Sequence, residues 1–164
     1  MKTDLKKGRM TFLPISINIT DKKILLIGGG RIASLKIGFL EQFTSNISVV
    51  ALDVIDSIKK KGIHFTEKAY EKSDLEGAFL VYACTNIVEL NLRVRADAQS
   101  LKILVNLVDN PTYCDFVSPA IYKRDHITVS VGSNAQEVHR AIAVRNKIKE
   151  YLEYDPSVFT QSVK

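Results

Sequence analysis

Apolar residues in this chain fall alternately into short continuous runs and into stripes of helical period. Ile24-Leu25-Leu26-Ile27 is an unbroken run that ends in Gly28-Gly29-Gly30, the pattern of a strand covered on both faces of a parallel sheet. Residues 31–43 place Ile32, Leu35, Phe39, Leu40 and Phe43 at helical spacing, and Ile47 to Leu52 reads as a second strand. Strand, glycine turn, helix and strand together occupy the thirty residues from Lys23 to Leu52, the size of one βαβ unit. Further strands are predicted near 63–66 and over 79–83 and 103–108, with a helix over about 88–101. This alternation predicts an α/β fold with an open parallel sheet.

After Pro111 the rhythm changes. Segments 118–123 and 127–131 read as two strands joined by Arg124-Asp125-His126. Residues 135–153 read as one long helix, with Val138, Ala141, Ile142, Ile148 and Leu152 on its apolar face. A hairpin and helix of about forty-five residues is too small to close a core alone. It is expected to pack either on its own sheet or, as the favoured expectation, against a second copy across a two-fold axis.

Composition narrows the class. The 164 residues, 46% hydrophobic and 25% charged, suit one globular domain with a small appendage and exclude disordered, collagen-like and disulfide-rich chains. No apolar run approaches the ~18 residues of a membrane span, and the basic start Met1 to Met10 is not followed by a signal-peptide core. A cytoplasmic location without membrane attachment is therefore expected, with Asn18-Ile19-Thr20 and Asn46-Ile47-Ser48 as chance sequons. Cys84 and Cys114 form no Cys-x-x-Cys pair and the three histidines are scattered, so no metal site is expected. The net charge is +5, but +3 of it lies in residues 1–9, so no nucleic-acid-binding face is expected either.

Candidate chemistry begins at the glycine turn. Gly28-Gly29-Gly30-Arg31-Ile32-Ala33 fits G-x-G-x-x-A: a tight turn, close approach of a pyrophosphate to the backbone, and a small residue where helix packs on strand. Free amides at the helix start favour an anion. Asp53 stands twenty residues beyond Ala33, where a carboxylate can take hydrogen bonds from ribose hydroxyls and repel a 2′-phosphate, which favours NAD over NADP. Its alternative is a surface loop carboxylate. Thr85 and Asn86 close another strand, and Asp109 follows the last parallel strand, all on the edge where open α/β sheets bind ligands. Asp109 reads equally as a turn residue before Asn110-Pro111. Cys84 reads as a small buried residue, because no histidine is placed to activate it.

Taken together, Phe12-Leu13-Pro14, the 28–33 turn, Ala83-Cys84-Thr85-Asn86 with Asn91, Asn106-Leu107-Val108-Asp109-Asn110-Pro111, and Cys114-Asp115-Phe116 with Pro119-Ala120 resemble precorrin-2 dehydrogenase, the dehydrogenase and ferrochelatase module of siroheme synthase. The likeness runs in order over about residues 11–153. It implies a Rossmann-like sheet with a small α+β dimerisation segment, NAD-dependent oxidation of precorrin-2 to sirohydrochlorin, and a homodimer. It also implies cofactor contacts at Gly28, Gly30, Arg31, Ile32, Leu52 and Asp53, with Asp109 as the catalytic aspartate. Thr85 and Asn86 join the candidate cofactor residues by their place on the sheet edge. Lys123, Arg124 and Arg140 are candidates for the substrate's carboxylates, and Ser133 for a further substrate contact.

The expected organisation is a basic leader over 1–10, an NAD-binding domain over 11–110, a dimerisation segment over 111–153 and a tail over 154–164. Two departures from the family stand out. Gly132 to Val138 replaces a loop that in many members holds Gly-Gly and Ser-Pro, and many members continue past the position of Lys164 into a further helical segment. Two alternatives follow: a bifunctional enzyme that also inserts iron into sirohydrochlorin, and a nucleotide-sensing module without catalysis.

Overall fold

A computed structural model describes residues 10–108 and 110–159. They form two compact units, one over Ile15–Phe116 and the other combining residues 10–14 with 117–159.

The first unit is an α/β sheet. Its strands are β1 (Lys23–Ile27), β2 (Ile47–Ala51), β3 (His64–Glu67), β4 (Ala78–Ala83) and β5 (Leu104–Leu107), in the order β3-β2-β1-β4-β5 and all parallel. Helices α1 (Arg31–Leu40), α2 (Asp56–Lys59) and α3 (Val88–Ser100) lie between them in sequence. The apolar run of β1 divides between two cores, as expected for a strand covered on both faces. Ile24 and Leu26 pack with Ala33, Ile37 and Leu40 of α1, whereas Leu25 and Ile27 pack with Val94 and Ala98 of α3.

Strand β5 stands at the edge of the sheet, with no sixth strand beside it among the described residues. The segment Cys114-Asp115-Phe116 returns along it, the Val105 N–H donating to Asp115 Oδ2 at 3.0 Å and the Leu107 N–H to Cys114 Sγ at 3.1 Å. Side chains thus take ladder positions that an open edge would offer to another chain.

The second unit holds β6 (Ala120–Arg124) and β7 (Ile127–Val131), paired antiparallel, and α4 (Val138–Tyr154). Arg145 of α4 donates to the Ile121 carbonyl of β6 at 2.6 Å. Among the described residues no helix is long and apolar enough to cross a membrane.

Several element limits differ from the sequence expectation. Helix α1 stops at Leu40, and Phe43 beyond it stands with its ring 5.6 Å from that of Phe39. Leu35, at a helical-period position, is 62% exposed. The α2 turn is too short to have a detectable period. Helix α4 starts at Val138 rather than 135, because Asn134 and Ala135 take left-handed φ values of 50° and 58°.

Candidate functional site

The glycine turn is stitched into the carboxyl edge of the sheet. The Gly28 N–H donates to the Val50 carbonyl at 2.8 Å, and the Cys84 N–H to the Ile27 carbonyl at 2.7 Å. Gly28 has φ +119°, and a Cβ there would stand 2.8 Å from the carbonyl carbon and oxygen of Cys84, so only glycine fits between β1 and β4. Gly29 is bound as tightly to the β2 exit. A Cβ on it would stand 2.3 Å from the Asp53 carbonyl oxygen and 2.9 Å from Val54 Cα, while the Ile55 N–H donates to the Gly29 carbonyl at 3.0 Å.

Gly30 differs from both. It caps α1, and a Cβ on it would meet no described residue within 4 Å. No side chain caps the helix and no acidic residue stands in its first turn. The opening amides of α1 therefore keep their capacity to hold an anion, with open space beside Gly30 for that anion to approach the backbone. Arg31 and Ile32 begin the helix with exposed side chains, and Ala33 is fully buried where α1 meets the sheet.

The β2 exit carries Leu52, which is 76% exposed, and the exposed Asp53. The corner after them is held by Glu67 at the end of β3, whose Oε1 accepts from the Val54 N–H at 3.0 Å. Lys59 Nζ approaches the same oxygen at 2.9 Å. The lysine, and then the Val54 amide, hold the Glu67 carboxyl below the usual carboxylate range.

At the β4 exit, Thr85 is bound to the buried Asn91 of α3. Asn91 Oδ1 accepts from the Thr85 hydroxyl at 2.7 Å, and Asn91 Nδ2 donates to the Thr85 carbonyl at 3.0 Å. Thr85 thus shapes the turn, and Asn86 beside it is exposed. On the α1 face of the sheet, Lys36 Nζ lies 5.5 Å from the centre of the Tyr82 ring. Burial pulls this amine below its ordinary value, with an opposing influence from Cys84 and Cys114.

Of the residues singled out in the sequence, Gly28, Gly30, Arg31, Ile32, Leu52, Asp53, Thr85 and Asn86 share the carboxyl edge of one sheet. Asp109 lies outside the described residues. Ser133, Lys123, Arg124 and Arg140 belong to the other unit. There Ser133 Oγ accepts from the Glu137 N–H at 3.3 Å, and Lys123 donates to the Asp125 carbonyl at 3.0 Å. The Arg124 guanidinium lies 4.6 Å from the Phe159 ring centre, and Arg140 pairs with Glu137 at 3.1 Å. No cluster of three or more His, Cys, Asp or Glu suited to a metal occurs among the described residues.

Sequence reasoning missed Gly29, Glu67 and Lys36. The glycine was visible as the middle of a triple run. Glu67 and Lys36 had no local signal, since their partners come from other elements.

A family model described as "Putative NAD(P)-binding" matches residues 15–120. The siroheme synthase of Baumannia cicadellinicola subsp. Homalodisca coagulata is 35% identical over 147 residues, which is 87% of this chain and 32% of that protein. The siroheme synthase of Methylobacillus flagellatus is 34% identical over the same shares. The chain spans about a third of the length of these curated relatives. A solved structure titled "SirC, precorrin-2 dehydrogenase" shares the fold, with a TM-score of 0.66 at 23% identity over 88% of this chain and 70% of that one.

Proposed function

Because the chain belongs to the NAD(P)-binding family whose model spans residues 15–120, we propose that it is an NAD-dependent dehydrogenase that oxidises precorrin-2 to sirohydrochlorin in siroheme synthesis. The observation that carries the reading is the interlock of Gly29 with the Asp53 corner. It puts an uncapped helix N-terminus and an exposed carboxylate on one sheet edge, the two contacts a dinucleotide requires. The likeness to siroheme synthases over 147 residues supports the choice of substrate.

In this reading the amides of Arg31 and Ile32 hold the pyrophosphate, Gly30 leaves room for it, and Leu52 offers an apolar surface to the adenine. Asp53 takes hydrogen bonds from the ribose hydroxyls and disfavours a 2′-phosphate, so NAD is the cofactor rather than NADP. The bound nicotinamide supplies the hydride acceptor. Precorrin-2 gives up one hydride and one proton, and Asp109 is the carboxylate assigned to the proton. Lys123, Arg124 and Arg140 are assigned to the substrate's carboxylates, with Ser133 as a further contact.

The active form in this reading is a homodimer, supported by the exposed Val138, Ile142, Val144 and Tyr151 of α4. A cytoplasmic location suits Cys84 and Cys114, which form no disulfide. The test supplies precorrin-2 and NAD to the purified protein and follows sirohydrochlorin by absorbance. Turnover is expected. NAD binding without turnover would favour the nucleotide-sensing alternative, and failure to bind either NAD or NADP would overturn the cofactor reading.

A further inference from the structure

The Asp53 corner is gripped from two sides. From the turn after β1, Gly29 leaves no room for a Cβ against the Asp53 carbonyl and Val54 Cα and accepts from the Ile55 N–H at 3.0 Å, while Glu67 takes the Val54 N–H from β3. Glu67 does a second thing there. The oxygen that holds the Val54 amide at 3.0 Å also holds Lys59 Nζ at 2.9 Å. Lys59 closes the α2 turn, only six residues after Asp53 in sequence, and lies 5.8 Å from the Phe65 ring centre. The Glu67 hydrogen bond raises its pKa, and the Asp53 and Asp56 carboxylates add smaller contributions in the same direction. A cation within electrostatic reach of Asp53 is thus committed to an internal partner.

We infer that Glu67 is a specificity-determining residue: it fixes the Asp53 corner through the Val54 amide and keeps Lys59 engaged, so that the corner accepts a ribose 2′-hydroxyl and refuses a 2′-phosphate. The inference rests on the dinucleotide-binding reading above and names what sets cofactor choice within it. A free ammonium beside the ribose would be the natural partner of a phosphate monoester, which adds charge and strong acceptor oxygens at that carbon. Asp53 repels that phosphate directly, and Glu67 withholds the cation that would offset the repulsion. Neither residue was linked to the other by spacing, because β2 and β3 meet only through the sheet.

The test measures Kd for NAD and for NADP on the full chain by calorimetry, with thermal unfolding as the check of fold. Glu67→Gln keeps an acceptor for the Val54 amide but removes the charge that engages Lys59. It is expected to move the NADP:NAD affinity ratio about five- to tenfold toward NADP, as suits one partly exposed charge contact. Adding Lys59→Met to that variant should cancel the shift, and raising the salt to 0.5 M should shrink it. Glu67→Ala, which also strips the acceptor from Val54, should weaken NAD itself about threefold or more. An unchanged ratio in Glu67→Gln, or a shift that survives Lys59→Met, overturns the inference while leaving the cofactor reading intact. If the wild-type chain binds neither nucleotide, the cofactor reading fails and the inference with it.

Discussion

Val105 and Asp115 exchange two hydrogen bonds across the edge of the sheet: the Val105 N–H donates to Asp115 Oδ2 at 3.0 Å, and the Asp115 N–H donates to the Val105 carbonyl at 2.9 Å. Asp115 thus satisfies both ladder groups of Val105 on a strand that has no outer neighbour among the described residues. Asp115→Ala removes the charged acceptor and is expected to destabilise the chain by about 1–3 kcal/mol, lowering Tm by several degrees. It should also promote self-association, since an unguarded edge invites pairing. Thermal unfolding and light scattering check both effects.

The three turn glycines should respond differently to alanine. Gly28→Ala and Gly29→Ala drive a Cβ to 2.8 Å and 2.3 Å of backbone atoms that belong to neighbouring strand exits. Each is expected to cost more than about 2 kcal/mol of stability. Gly30→Ala meets no atom within 4 Å, so its Tm should stay within a few degrees of wild type. Its NAD affinity should fall tenfold or more, because the methyl fills the space assigned to the pyrophosphate. Calorimetric Kd values beside unfolding curves separate the two classes.

Asn91 is 1% exposed and ties the N–H, hydroxyl and carbonyl of Thr85 to α3. Asn91→Ala removes the partner of the partly buried Thr85 N–H and carbonyl, the hydroxyl keeping Ile87, and is expected to cost about 1–3 kcal/mol. A denaturant titration would read this as a lower midpoint with an unchanged slope.

Lys36→Met tests a buried charge. Burial lowers the Lys36 pKa from 10.5, so the folded state holds this proton less firmly than the unfolded state. Below the lowered value both states are protonated and folding bears the full desolvation cost. As pH rises through that value toward 10.5 the folded state sheds its proton first, and the cost fades. Methionine keeps the apolar stem over Tyr82 without the charge. The variant is expected to melt higher than wild type at pH 7, and the gap should narrow as the pH is raised toward 10.5.

Asp109→Ala should abolish sirohydrochlorin formation while NAD still binds, because the turn at residues 28–32 to which the pyrophosphate is assigned is a separate segment. Full turnover in this variant would remove the role assigned to the aspartate. Loss of NAD binding would move that role from the proton to the cofactor.

Much of this fold was legible because its signals are local. The β1 run predicts a strand buried on both faces, and both cores use it, Ile24 and Leu26 on one side and Leu25 and Ile27 on the other. The turn could be read because Gly28 and Ala33 carry their constraints in their own missing or minimal side chains. The close approach of Gly29 to the Asp53 corner could not, since it arises where two chain segments leave no room for a Cβ, which would stand 2.3 Å from the Asp53 carbonyl oxygen. The same holds for Glu67 and Val54, and for Asp115 and Val105. The start of α4 differs for another reason: Asn134 is a residue type that tolerates the left-handed backbone, but nothing in the side chain of Ala135 announces that it follows, at roughly 1–2 kcal/mol for a residue with an ordinary Cβ.

The absence of clearance at Gly29 has a thermodynamic consequence. The β1 turn and the β2 exit cannot be displaced independently, so the two halves of the corner proposed to hold the nucleotide are already registered to one another before any ligand arrives. Binding there need not spend free energy on ordering a loop, and more of the contact energy is left to appear as affinity. The converse is that a perturbation of either half is felt by the other, even when it touches no ligand.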